Sequence, residues 1–199
     1  PGISLQEIVQ NGKHQNLDLL LSNIQDLLAE QTVNKIAADY YHISQWLEQN
    51  ASSDYEFIII DAPASTSPIS INAMLAADLI IVPLECEALA IKSLKRFLQA
   101  FKELQKNIEP GLRLAGILLT MYDDEILSHQ QVCRQIYQTL GDSVFETIIP
   151  NCPYILEASS MGIDVIQRHL NSEGATGYIR LANELLDRFL LPKSEEASQ

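Results

Sequence analysis

Cysteine is scarce and scattered in this chain. Cys86, Cys133 and Cys152 are the three thiols in 199 residues, and no two stand in a C-x-x-C spacing. The four histidines are equally isolated. That pattern excludes a disulfide framework and a zinc-type ligand set, and it fits a reducing compartment. Long apolar runs are missing too: none reaches the roughly 18–20 residues that cross a bilayer. The chain opens with no basic segment leading into an apolar core, so neither a membrane span nor a signal peptide is expected. Positive charge is in short supply. Lys and Arg number 13 against 26 Asp and Glu, a formal net charge of −13. A field of that sign repels nucleic acid, so any DNA contact needs a local basic patch. The phosphate-loop motif G-x-x-x-x-G-K-[ST] is absent, as are a Rossmann glycine fingerprint, a metalloprotease motif and a Ser/His/Asp triad pattern.

What the chain does hold is alternating strand and helix. Hydrophobic residues make up 47% and charged residues 20%, the proportions of a folded globular protein. Ser4 to Glu7 has the S-x-x-E form of a capping box, so a short helix is expected up to Gln10, stopped by Asn11-Gly12. Asn16 to Leu21 reads as a short strand. From Gln25 to Gln49 the spacing of Val33, Ile36, Tyr40, Ile43 and Leu47 predicts one helix. Phe57 to Ile60 is apolar on both sides, which predicts a buried strand of a parallel sheet, and it ends in Asp61. Ser67 is placed to cap the next helix, with Pro68 at its first position. Further strands are predicted over 79–84, 114–121 and 144–149. Helices are predicted over 87–105, 128–140, 155–161 and 175–190. The second of these has a Ser128/Gln131 capping box and Gly141 as its stop; the last turns Tyr178, Leu181, Leu185 and Phe189 inward. Such alternation means βαβ units: an α/β fold with a mostly parallel sheet and helices on both faces. No repeat, low-complexity segment or linker interrupts it. Residues 1–191 read as one domain and 192–199 as a disordered polar tail.

Asp61 is the first candidate for chemistry. Ligands of open parallel sheets bind beyond the carboxyl ends of the strands. An acid there can hold a metal ion or polarise a water; it can equally accept backbone N–H bonds of the next turn. The loop from Ala62 to Pro68 is rich in small hydroxyl residues, which suit phosphate contact or a plain strand-to-helix turn. Thr120-Met121-Tyr122-Asp123 and Pro150-Asn151 close two further strands, where a base or substrate can sit. Lys92, Lys95, Arg96, Lys102 and Lys106 fall on one face of the long helix, opposite Leu94, Phe97, Leu98, Phe101 and Leu104. That face is either a nucleic-acid surface or an ordinary solvated one, interrupted by Glu103.

Taken in order, YEFIIIDAPAS, NAMLAADLIIVPLECEALAIKSL, LAGILLTMYD, VFETIIPN and EGATGYIRLANELL resemble consecutive blocks of the ParA-type, deviant-Walker partitioning ATPases. NLDLLLSNI is similar to the family's preceding strand, and SLQEIV to the short helix before it. The resemblance covers nearly the whole chain. It implies a P-loop NTPase-like sheet, slow Mg²⁺-dependent ATP hydrolysis, a nucleotide-sandwich homodimer and nonspecific DNA binding. It also implies a ParB-type adaptor that stimulates hydrolysis, so that a plasmid, chromosome or other cargo is moved. On this resemblance Asp61 takes the Walker B role at Mg²⁺, through water, and Thr120, Met121, Pro150 and Asn151 line the adenine pocket. A cytoplasmic, nucleoid-associated protein is implied, with no membrane partner.

Departures from the family carry expectations of their own. The family begins with a strand and a lysine-rich phosphate loop, then a second strand ending in a catalytic acid. This chain opens after both, on Pro1. With the first strand and phosphate loop missing, no catalytic residue is expected within it. The absent strand belongs in the middle of the sheet, where its loss leaves unpaired backbone groups. Residues 1–199 alone are therefore expected to fold poorly and to hydrolyse no ATP. Family arginines that follow the TMYD and IIP blocks are replaced by Asp124-Glu125 and Asn151-Cys152-Pro153, which leaves the Lys92 to Lys106 face as the DNA-contact candidate. Two alternatives stand beside this reading. One is a truncated or degenerate homologue acting as a non-catalytic interaction module. The other is a septum-site or capsule-type branch, although Arg188 to Pro192 followed by Glu195-Glu196 is too short and too acidic for a membrane helix of the septum-site kind.

Overall fold

The computed structural model describes residues 5–12, 14, 16–22, 27–37, 39–50 and 55–190. Ser4 of the first capping box and the tail 192–199 lie outside them. The chain forms two compact units: Pro1–Asp78 with Lys102–Leu112, and Leu79–Phe101 with Arg113–Gln199.

In the first unit, helix α1 (Leu5–Ile8) is followed by two short strands, β1 (Gln10–Asn11) and β2 (Asp18–Leu19). They pair antiparallel, Gln10 opposite Leu19 and Asn11 opposite Asp18. The single helix expected over 25–49 is two helices, α2 (Leu27–Ile36) and α3 (His42–Asn50). The break has a distant cause. Asn72 lies on α4 (Pro68–Leu75), and only 1% of it is exposed. Its amide donates to the carbonyls of Ala37 and Asp39, while its Oδ1 accepts the Ile43 N–H at 2.8 Å. One buried side chain thus satisfies backbone groups that a continuous helix would have paired internally.

The strand expected at Phe57 to Ile60 does not form a ladder. This stretch has no regular secondary structure, and Phe57, Ile58 and Ile59 are 56%, 50% and 92% exposed. Burial requires a neighbouring strand, and none pairs with it among the described residues. Ser67 does precede α4 with Pro68 in its first turn, yet its hydroxyl makes no cap bond. It joins Ser65 at 2.9 Å and Ser70 at 3.1 Å instead.

The second unit rests on β3 (Ile80–Glu85) and β4 (Leu114–Thr120), paired in parallel. A register shift falls between Ile80 and Ile81: Ile80 faces Leu114, but Ile81 faces Gly116. Ala115 is therefore an extra residue on β4, a bulge that changes which face the neighbouring side chains occupy. Ile117 and Leu119 join Leu84, Leu94, Val132, Ile136 and Val144 in one core. Ala115 and Leu118 join Phe145 and Ile149 in another, backed by Leu181, Leu185 and Phe189. Helices α5 (Ala88–Asn107) and α6 (Leu127–Leu140) thus cover one face of β4, and α9 (Glu173–Leu185) the other. The sheet is parallel and flanked on both faces, as the alternation predicts. Tyr178 alone of the expected inward stripe is turned outward, at 40% exposure.

Between these elements lie α7 (Pro153–Ser160) and α8 (Val165–Arg168). The Ser128/Gln131 capping box does not form, because α6 begins one residue earlier, after Ile126. Asp123 builds that entry: its Oδ1 accepts the Glu125 N–H at 2.9 Å, and its own N–H donates to His129 Nδ1. Gly141 ends α6 with φ 49, the left-handed conformation that favours glycine.

Replacing Asn72 with Ala should cost about 2 kcal/mol, because the Ala37 and Asp39 carbonyls and the Ile43 N–H lose a side-chain partner. Urea unfolding followed by circular dichroism measures it. An unchanged midpoint would contradict the role given to Asn72.

Candidate functional site

The strand-end residues expected to act together are brought together in the second unit. Thr120 is the last residue of β4, and its carbonyl accepts the Cys86 N–H at 3.3 Å. Met121 leaves the strand with φ 51, and its side chain is half exposed. A positive φ is uncommon for a residue with a side chain and marks a backbone held by its surroundings. What holds it is the neighbouring segment. Tyr122 bridges Pro150 in parallel. The Tyr122 N–H donates to the Ile149 carbonyl at 3.2 Å, and the Asn151 N–H donates to the Tyr122 carbonyl at 2.7 Å. Met121 and Asn151 are thus exposed on adjoining strand ends, an apolar thioether beside a polar amide.

The segment carrying Pro150 was expected as a continuous strand over 144–149. It touches β4 only at intervals. Phe145 donates to the Ile117 carbonyl and Ile149 to the Leu119 carbonyl, both at 2.9 Å. Between those rungs the N–H groups of Glu146 and Thr147 go elsewhere. They donate to Oε1 and Oε2 of Glu184, each at 2.8 Å. A carboxylate on α9 interrupts the ladder. Glu184 is paired with Arg188 at 2.5 Å, and Arg188 lies 5.4 Å over the Phe145 ring. Burial pushes the Glu184 carboxyl up; the bonds from Thr147 and Glu146 and the Arg188 charge outweigh it and hold it below the usual carboxylate range.

No motif pointed to Glu184. One signal was readable: an acid with an arginine four residues on, within the inward stripe of an amphipathic helix. Gly177 was missed as well. A Cβ there would stand 3.2 Å from Pro150 Cδ, so glycine lets α9 lie directly against the strand end. A cleft of about 370 Å³ opens beside it, lined by Pro150, Asn171, Glu173, Thr176 and Arg180.

Asp61 stands in the first unit, exposed, after the apolar run. The loop behind it is braced by hydroxyls. Ser65 and Ser70 lie 2.8 Å apart, and Ser70, 2% exposed, donates to the Pro63 carbonyl. These serines hold the turn. Lys92, Lys95, Arg96, Lys102 and Lys106 are all exposed on α5. The cysteines are free, and burial pushes the Cys86 thiol up to about 11, which leaves it unreactive. No helix among the described residues is long and apolar enough to cross a membrane.

Comparisons with known proteins bear on the family and the fold. Residues 2–114 match the model of the AAA domain family. The chromosome-partitioning ATPase Soj of Thermus thermophilus is 40% identical over 134 residues, covering 67% of this chain and 54% of Soj. The chromosome partitioning protein ParA of Caulobacter vibrioides is 32% identical over 160 residues, covering 80% of this chain and 60% of ParA. The chain thus spans little more than half the length of these relatives. Among solved structures, the ATP complex of a Cyanothece McdA variant has TM-score 0.79 at 17% identity, over 96% of this chain and 74% of McdA, a likeness of fold alone. The Mycobacterium smegmatis cobyrinic acid a,c-diamide synthase, solved with an ATP analogue and magnesium, has TM-score 0.73 at 26% identity over 92% of this chain and 67% of the synthase. The fold is that of the P-loop NTPase-like α/β proteins. The chain belongs to the AAA domain family, among its ParA-type partitioning ATPases.

Because Glu184 is held below its unfolded value, near ~4.3, the stability it adds is complete above that value. It is lost as pH falls through the lower folded value. The wild-type thermal midpoint should fall more steeply from pH 5 to pH 3 than that of Glu184→Gln. Parallel pH profiles would contradict the clamp.

Proposed function

We propose that this chain is the C-terminal portion, residues 1–191, of a single ParA-like ATPase domain that partitions a chromosome, plasmid or other cargo. The observation that carries the reading is the meeting of two strand ends, Thr120-Met121 beside Pro150-Asn151, in a chain of this family. An exposed thioether beside an exposed amide suits a flat purine: the apolar group meets the ring face and the amide meets its polar edge. These four residues line the adenine pocket.

Asp61 fits the metal role. It offers an exposed carboxylate at the end of an apolar run, a hard oxygen donor of the kind Mg²⁺ takes through water. No three His, Cys, Asp or Glu gather into a metal site among the described residues, so the ion would be shared with nucleotide phosphates and water. Bound Mg-ATP supplies the phosphoryl group and the charge neutralisation that its transfer needs. The 199 residues hold no phosphate loop, so by themselves they turn over no ATP. In the full-length gene product, nucleotide drives assembly of a sandwich homodimer, and a ParB-type adaptor stimulates hydrolysis. The protein is cytoplasmic and nucleoid-associated. DNA is held, without sequence preference, by Lys92, Lys95, Arg96, Lys102 and Lys106, a local basic face on an acidic chain.

The test uses the full-length gene product. Asp61→Ala should lower Mg²⁺-dependent ATP turnover at least tenfold. Lys95→Glu with Arg96→Glu should abolish DNA retention in a gel shift while ATP binding persists. Unchanged retention removes α5 from the DNA contact. A full-length product that binds no ATP removes the ATPase reading and leaves the non-catalytic interaction module.

A further inference from the structure

Helix α9 makes two separate contacts with the segment that ends in Pro150-Asn151. The first is the Glu184 carboxylate, which takes the N–H groups of Glu146 and Thr147. In a regular parallel strand the N–H groups of 145, 147 and 149 point the same way. Those of Phe145 and Ile149 do point to β4; that of Thr147 points to Glu184. On β4 the two acceptors, Ile117 and Leu119, are consecutive rungs, so the segment spends four residues where β4 spends two, and Glu184 takes the N–H groups of the resulting bulge. The second contact is the bare backbone of Gly177 against Pro150. Arg188 fixes the carboxylate and reaches the Val144 carbonyl at 3.5 Å, closing a loop of contacts around the segment.

We infer that Glu184 is a positioning residue for the nucleotide-lining strand end, holding Pro150 and Asn151 against Tyr122 by anchoring the bulge that sets which residues of the segment reach β4. The inference rests on the nucleotide reading above for its ligand, but its mechanical part stands without it. Both carboxylate oxygens are needed. A glutamine keeps the shape but offers one acceptor and turns an NH₂ donor toward the other N–H. The Thr147 N–H then competes with that of Ile149 for the Leu119 carbonyl, the next acceptor after Ile117. The course of the last residues, Pro150 and Asn151, changes with it. Gly177→Ala acts on the same strand end from the other contact, since its Cβ presses on Pro150.

Hydrogen exchange and nucleotide binding test this together on the full-length gene product. Glu184→Gln should raise exchange across residues 144–151 about tenfold while β3 and β4 keep wild-type protection. With Mg²⁺ present, its preference for ATP over GTP should fall about tenfold, and that of Gly177→Ala in the same direction. A merely structural loss would weaken both nucleotides alike. If Glu184→Gln does not fold by circular dichroism, Arg188→Gln takes its place and should raise exchange in the same segment to a smaller degree. Wild-type exchange at 144–151 in the folded variant overturns the clamp. Raised exchange with unchanged base preference overturns the positioning of nucleotide. If the wild type binds neither nucleotide, the ATPase reading fails, and the exchange arm alone decides the clamp.

Discussion

Every backbone N–H of a parallel sheet must find an acceptor, and that requirement organises this molecule. Strand β4 meets it on both edges, with β3 along one side and the 144–150 segment touching the other. Its two faces are then sealed by α5 and α6 on one side and α9 on the other. The bulge at Ala115 assigns each apolar residue of β4 to one of those cores. Where that segment bulges away from β4, Glu184 takes its N–H groups. Where no strand among the described residues lies alongside, Phe57, Ile58 and Ile59 keep their side chains in water.

Elements whose causes are local could be read directly from the chain. The apolar run of β4, the stripe of α5 and the Gly141 stop each rest on residues within a few positions of one another. Elements with remote causes could not. The α2–α3 break depends on Asn72, which bonds residues 29 to 35 positions away. The Ser128 cap lost to a turn built by Asp123, since two local signals competed and only the folded loop decides between them. The run before Asp61 has the composition of a buried strand, but burial belongs to a pair of strands and not to one.

The candidate site shows the same division. Thr120, Met121, Pro150 and Asn151 are unremarkable strand ends one by one, and the family resemblance is what grouped them. The structure adds the reason they can act together: adjoining ends joined by the Tyr122 and Asn151 N–H bonds. Glu184 was invisible to motif reading because its partners are backbone groups 37 and 38 residues away. Sequence patterns register side-chain types, and a carboxylate that substitutes for a strand leaves only an acid on an inward helical face.

The most direct measurement is photolabelling of the full-length gene product with 8-azido-ATP and Mg²⁺, followed by peptide mapping. The account predicts label on the peptides containing Thr120-Met121 or Pro150-Asn151, suppressed by excess ATP. Label confined to other peptides, or none that ATP suppresses, would contradict it.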